Sequence, residues 1–421
     1  MSIETGFETE IINLEIDMPK DFGFNRKADW AVEFGGSISA GITLHEGKLF
    51  FGCADYHLYC FDAKTGKELW RFKANDVNDT SYPIVADGIV YSGFFDGYLY
   101  AVNEKDGKLI WKFKTGDRVT GTPTICNNFV VFGSWDEFVY ALDKKTGEEI
   151  WRFKTGDRVG CTPTFDGEKI YIGSFDGCIY CLDLKGREIW RFKTGGSMFN
   201  YHQQPIKDGI MYFTNWDGHL YALNTKTGQE EWRFKMGKGS GVTPLVYENR
   251  IYFGSWDKNF YCIDLNGKEI WRFRAKDILE DFKALIHDGK VYFGSIDKNF
   301  YAFDIRTGEL IWSFQTNDTI WSTAVYFEGL IIFGGWDCFL YALDYKTGAE
   351  VWRSVTSTKN AAKHVLEVKY SYGGKIRIAK QEEGDEGKED SEINIGLSND
   401  VYNFKSEYAT DSTYSGSKRY G

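Results

Sequence analysis

Apolar and polar positions alternate in short runs along most of this chain, and the runs return with a period of about 40 residues. The clearest copy lies at 133–151 (GSWDEFVYALDKKTGEEIW). Alternation with a period of two puts successive side chains on opposite faces of a strand. Within one period, residues 122–125 are short and β-prone, and Asn127-Asn128 marks a turn. Residues 129–133 alternate, Trp135-Asp136-Glu137 breaks the run, and 138–142 form a third strand. Asp143 to Gly147 reads as a hairpin, where the Asp accepts backbone N–H groups and the Gly supplies a positive φ. Residues 149–153, with a Trp at their centre, make a fourth strand. Four short antiparallel strands per period, here labelled A to D, predict one blade of a β-propeller.

The strand-D tryptophan recurs at 70, 111, 151, 190, 232, 271, 312 and 352, in steps of 39–42 residues. An Asp between strands B and C recurs at 55, 96, 136, 176, 217, 257, 297 and 337. The expected fold is therefore all-β, an eight-bladed propeller of four-stranded antiparallel blades. Each recurring Trp is expected to pack between adjacent blades, burying ~150–250 Å². An Asp present in every blade is expected to stabilise turns rather than to catalyse. The same reading covers Asp62, Asp143, Asp183, Asp264, Asp304 and Asp344, with Asn103 and Asn224 in that role in two blades. A ninth strand-D signal stands at 30–34 (WAVEF), 40 residues before Trp70. Either it completes the last blade as an N-terminal latch, the favoured reading, or residues 351–353 fill that place.

The predicted boundaries are an acidic segment at 1–27, the propeller at 28–356, a β-hairpin at 357–380, and an acidic linker with a Tyr-rich tail at 381–421. The hairpin strands are 365–372 and 375–380 around Gly373-Gly374, expected to pack on the ring. The tail is expected to be disordered. Its Tyr402, Tyr408, Tyr414 and Tyr420 fall six residues apart, which also suits a docking peptide with all four on one face of a strand. The net charge of −11 resides in 1–21 and 381–392, leaving 22–380 formally neutral. A neutral body argues against a general polyanion binder, which needs a basic face. The N-terminus has neither a basic region nor an apolar core like that of an export signal, and no run nears ~18 apolar residues. The expectation is a cytoplasmic protein with no membrane partner. Cys60, Cys181 and Cys262 replace the Ala of the Tyr-Ala-Leu-Asp phrase, so they read as small buried hydrophobes. Cys178 and Cys181 lie three apart in a strand and point to opposite faces, which disfavours zinc or redox chemistry.

The phrases LYAVNEKDGKLIWKF, VYALDKKTGEEIWRF, LYALNTKTGQEEWRF and LYALDYKTGAEVW resemble the repeat of the quinoprotein, or PQQ-like, β-propeller family over about 40–354. The resemblance implies either a quinone-bearing dehydrogenase or a cofactor-free binding propeller. The dehydrogenases carry long inter-blade insertions and an adjacent-Cys disulfide. This chain has neither, nor their export signal, so it resembles the non-catalytic members, such as outer-membrane assembly scaffolds, though without their lipoprotein signal. No catalytic residue, metal ligand or cofactor is expected.

In an A-B-C-D blade the B–C and D–A loops share one face. The residue before the recurring Asp is Ala54, Phe95, Trp135, Phe175, Trp216, Trp256, Ile296 or Trp336, aromatic in six of eight blades. The D–A loops diverge most and bring Arg118, Arg158, Tyr201, His202, Gln203, Lys283 and Trp321 to the same face. A circle of aromatics with polar groups toward the centre suits peptide side chains, sugars or unstacked bases; the competing reading is that these rings fold back into the core. The expected function is a non-enzymatic scaffold for a protein or peptide partner. The alternatives are a single-stranded nucleic-acid or nucleotide binder using the aromatics with Arg118 and Arg158, and a quinone-dependent oxidoreductase.

Overall fold

The computed structural model describes residues 36–356, except 40, 79 and 280–282, and three short strands farther along. Eight four-stranded sheets, each of four consecutive antiparallel strands, span 43–73, 84–114, 124–154, 164–193, 206–235, 245–274, 285–315 and 325–355. In blade 3 the strands are Thr124–Cys126, Phe129–Gly133, Phe138–Asp143 and Glu149–Lys154. Strands B and C are the buried ones. Val130, Val131, Phe132, Val139, Ala141 and Leu142 are all fully enclosed.

Each strand-D indole docks on the following blade. Trp111 Nε1 donates to Lys144 O at 3.2 Å, Trp151 to Leu184 O at 3.0 Å and Trp232 to Leu265 O at 3.1 Å. The next blade's hairpin glycine lies flat on the ring: Gly147 has φ +74°, and a Cβ there would sit 2.6 Å from Trp111 Cδ2. Two residues on, a Phe meets the next blade's strand-C Tyr, as in Phe113–Tyr140 at 5.5 Å and Phe153–Tyr180 at 5.4 Å.

The B–C turns are tied by the recurring Asp. Asp136 Oδ1 accepts the Phe138 N–H at 3.1 Å, while Oδ2 accepts the Tyr140 hydroxyl at 2.7 Å and the Gly116 N–H, from the preceding D–A loop, at 2.7 Å. The same three bonds recur at Asp176, Asp217 and Asp257. These carboxylates are structural. Burial, and then the Asp contact, push the pKa values of Tyr140, Tyr180 and Tyr221 upward.

Blade 8 departs from the favoured expectation. Glu350–Val355 is its fourth strand, with Tyr341 opposite Arg353 and Ala342 opposite Trp352. The N-terminal latch is therefore not what completes this blade, and residues 30–34 lie outside the described residues. The ring closes instead by packing. Ile332, Leu340 and Ala342 share a core cluster with Leu49, Phe51 and Tyr59 of blade 1. Ser354 Oγ donates to Gly66 O at 2.6 Å.

A second unit contains the remaining described strands. Lys369–Ser371 pairs with Lys375–Arg377 as the expected hairpin. Ile393–Asn394 pairs with Lys375–Arg377 as a third strand. The acidic run and the four spaced tyrosines lie outside the described residues.

Replacing Trp151 by Ala removes an inter-blade anchor and is expected to cost about 3–5 kcal/mol, read by urea unfolding. The hairpin carboxylates set an acid limit. Asp143 and Asp304 are held below the usual carboxylate range, chiefly by the N–H groups of Thr146 and Thr307. Their contribution is full above the unfolded value of about 3.9 and is lost as pH falls through the depressed folded value. The melting temperature should fall below about pH 4. An Asp143→Asn, Asp304→Asn double variant should show a shallower fall.

Candidate functional site

The B–C tips and D–A loops are hydrogen-bonded to each other, which puts them on one face. Phe95 N donates to Val77 O at 3.0 Å, Trp135 N to Arg118 O at 2.9 Å, Phe175 N to Arg158 O at 2.9 Å, Trp256 N to Gly239 O at 3.1 Å and Trp336 N to Thr319 O at 3.0 Å. All six aromatic tips are half-buried: neither core nor fully presented.

They form an arc rather than the expected circle. The Arg118 guanidinium lies 5.0 Å from the Phe95 ring and 5.3 Å from Trp135. Arg158 lies 5.0 Å from Trp135 and 4.9 Å from Phe175. From blade 3 onward the rings touch directly, Trp135–Phe175 at 5.9 Å, Phe175–Trp216 at 5.7 Å and Trp216–Trp256 at 5.5 Å. A cation thus bridges the rings of blades 2 and 3, and ring meets ring over blades 3 to 6, with Arg158 lying over the first of these contacts. Such stacking is attractive because the ring quadrupole presents a negative face to the cation. Ile296 and Ala54 interrupt the series in blades 7 and 1. Trp336 pairs instead with Trp321, at 4.5 Å.

The mouth of the central channel on this face is crossed by side chains from three junctions. Tyr82 enters between blades 1 and 2, His202 between blades 4 and 5, and Thr323 between blades 7 and 8. Thr323 Oγ1 lies 3.0 Å from the Tyr82 hydroxyl and 3.0 Å from His202 Nε2, and the Tyr82 and His202 rings are 4.2 Å apart. Lys283 N donates to the same hydroxyl at 3.3 Å. Gly41 completes the packing, since a Cβ there would overlap the Tyr82 ring. Enclosure, with the Lys283 charge second, holds His202 well below its usual pKa, and burial lowers that of Lys283.

The other sequence candidates separate. Gln203 is exposed beside the channel, its amide nitrogen 3.4 Å from Thr124 Oγ1. Tyr201 is corrected: it is 8% exposed, packs on Phe199 at 4.5 Å and serves as core. Sequence reasoning missed Tyr82 and Thr323, which lie 241 residues apart and carry no local signal. It also missed Phe199, which lies 5.1 Å from Phe175. Cys60, Cys181 and Cys262 are fully buried, and Cys178 nearly so. Burial pushes the Cys181 thiol up to about 12. Among the described residues, one cluster combines metal-ligating types, His45, Glu46 and Glu104. The Lys48 ammonium already pairs with Glu104 at 2.8 Å, supplying the positive charge that a cation would bring.

A sequence profile described as outer membrane protein assembly factor BamB matches residues 25–124 and 216–372, more than half of the chain. Another, described as the β-propeller of the beta-alanine-activating enzyme, matches 85–278. The quinoprotein ethanol dehydrogenase of Pseudomonas aeruginosa is 30% identical over 85 residues, 18% of this chain and 14% of that protein. Quinoprotein alcohol dehydrogenase PedH of Pseudomonas putida is 26% identical over 90 residues, 19% and 15% of the two chains. The matched region thus spans about one seventh of the length of these curated relatives. Among solved structures, BamB from Moraxella catarrhalis superposes with a TM-score of 0.61 at 16% identity, covering 75% of this chain and 96% of that one. The computationally designed Ika8 protein gives 0.64 at 17%, covering 76% and 98%. At such identities the structural likeness speaks for the fold alone. With the profile matching both ends of the ring and the repeat phrase present in every blade, the chain belongs to the PQQ-like β-propeller family that includes outer membrane protein assembly factor BamB.

Proposed function

We propose that the ring is a cytoplasmic, non-enzymatic scaffold that holds a protein or peptide partner across the B–C/D–A face. The observation that carries this reading is the half-buried arc from Phe95 to Trp256. Blades 1 and 7 build the same tip with Ala54 and Ile296, so the turn itself does not require a ring. Aromatic and arginine side chains held in place lose little conformational freedom on binding, which is why they dominate protein interfaces. The assembly-factor description of the matching family is in keeping with a role among proteins.

The arc favours a protein over single-stranded nucleic acid. Arg118 already fills the slot between Phe95 and Trp135, and Arg158 covers Trp135 and Phe175, whose rings meet edge to face at 5.9 Å. A base would have to displace them, whereas a side chain laid over the arc would not. A quinone fits the channel mouth poorly. The Tyr82–Thr323–His202 cluster crosses it, and among the described residues the cationic group beside that cluster is the partly desolvated Lys283, whereas a polycarboxylate quinone needs several cations.

Trp135→Ala and Trp256→Ala are expected to weaken capture of a partner from the source cell by about 30-fold, near 2 kcal/mol for a hot-spot residue. The melting temperature should fall far less than in Trp151→Ala. Oligonucleotide binding that weakens steeply between 50 and 200 mM salt would decide for nucleic acid instead.

A further inference from the structure

We infer that the cavity between blades 5 and 6, at the strand-D edge of the ring, binds an oxyanion, phosphate or carboxylate, through the Arg274 guanidinium. The inference does not depend on what lies across the arc.

The cavity measures about 480 Å³, the size of a small-ligand site. One wall is residues 234–237, where strand D of blade 5 runs into its loop. The other is Asn259 and Tyr261 on strand C of blade 6 with Arg272 and Arg274 on its strand D. The Phe234 and Tyr261 rings meet there at 5.4 Å. Its carboxylates are already spent. Asp257 Oδ1 accepts the Asn259 N–H at 2.9 Å, while Oδ2 accepts the Gly237 N–H at 2.8 Å and the Tyr261 hydroxyl. Glu269 holds Arg272 by two bonds of 2.7 Å each. Arg274, paired across the sheet with Asn259, is exposed and makes no ion pair or ring contact among the described residues. The group the lining leaves unmet is therefore a guanidinium, whose forked N–H donors match two oxygens of a carboxylate or phosphate.

The other blades close the equivalent place. In blades 2, 3 and 8 strand C begins with an aromatic residue, and the strand-D cations lie over it. Lys112 and Lys114 are 4.7 and 4.9 Å from the Tyr98 ring, Arg152 and Lys154 are 5.4 and 5.8 Å from Phe138, and Arg353 is 5.3 Å from Phe339. In blades 1 and 5 the rings of His57 and His219 pack on Tyr59 and Tyr221 at 5.6 and 5.9 Å. Lys73 and Lys235 opposite them have no ion pair among the described residues, but they face a place already filled. Cys178 is small, yet in that blade Lys193 donates to the Asp176 carbonyl. Asn299 is small too, but the strand beside it offers Ser313 and Gln315, which carry no charge. Blade 6 alone joins a small first residue to two arginines. Asn259 is only 7% exposed, and its Nδ2 donates to the Tyr261 hydroxyl at 3.3 Å. The amide thus lies down on its own sheet, leaving the volume that a ring takes elsewhere.

The test titrates inorganic phosphate and, separately, acetate into the full chain at constant ionic strength, with the NMR line width of each ion as the readout. Saturable broadening of at least one ion is expected, and the ion that binds more tightly names the headgroup of the ligand. Arg274→Gln should weaken that binding about tenfold, as loss of a charge-assisted pair does. Asn259→Phe copies Phe138 of blade 3 and gives Arg274 a ring to lie on, so it should weaken binding as much while the melting temperature holds. Arg152→Gln, in the blade whose place is filled, should change nothing. Absence of saturable binding by either ion overturns the inference, and so does binding that Arg274→Gln leaves unchanged. Because the Arg274 side chain is exposed, that variant decides the matter even if Asn259→Phe does not fold.

Discussion

The fold rests on one contact made repeatedly around a circle, an indole laid on a glycine of the next blade. It is directional. Each blade offers a Trp to its successor and a hairpin glycine to its predecessor, so any open array would leave a bare Trp at one end and a bare hairpin at the other. A single blade cannot bury its own faces. Closing Trp352 on Gly66 removes both ends together. The contact also explains the hairpin. Gly147 must take a positive φ to turn the strand, and it must lack a Cβ so that Trp111 can approach.

The Asp knot divides the labour between the two faces. From blade 2 to blade 8 each carboxylate spends one oxygen on its own turn and the other on a tyrosine and the preceding D–A loop, binding neighbouring elements without asking anything of the residue before it. That residue is free to vary, and Ala54 and Ile296 show that the turn tolerates small and aliphatic groups. Six aromatics at a position without a backbone requirement need another cause. Inter-blade packing accounts for their buried edges, and the exposed remainder is what the proposed partner would meet.

The ring was legible because its information is local and repeated: the Trp spacing, the Asp before strand C and the Asp-x-x-Thr-Gly hairpin each recur often enough to be read without neighbours. The axis was not legible, because Tyr82, His202 and Thr323 meet only after the whole ring has closed, across 121 and 241 residues of sequence. Tyr201 was misassigned for a local reason. It sits within a divergent loop, yet Phe199 and the Thr122 hydroxyl, which donates to its carbonyl at 2.9 Å, turn it inward. The arc was mistaken for a circle because a list of tip residues does not show where contact between them is broken. The last blade was misjudged because two strand-D patterns, at 30–34 and 351–353, compete for one place in the sequence, and pattern alone cannot rank them.

Closure and recognition are separated in space by this arrangement. The arc runs over blades 2 to 6, while the seam lies between blades 8 and 1. The Arg118 and Arg158 stacks do not depend on the seam, because their supports are the B–C tips of blades 2, 3 and 4. Trp336 is the exception. It stands on blade 8, next to Asp337, whose carboxylate anchors Tyr341 at 2.6 Å on the strand that receives the fourth one. A ligand confined to the arc would be indifferent to how firmly the seam holds. One that also reached the Trp321–Trp336 pair would bear on the blade that closes the ring, and by linkage would stabilise the closed ring by its differential affinity for that form.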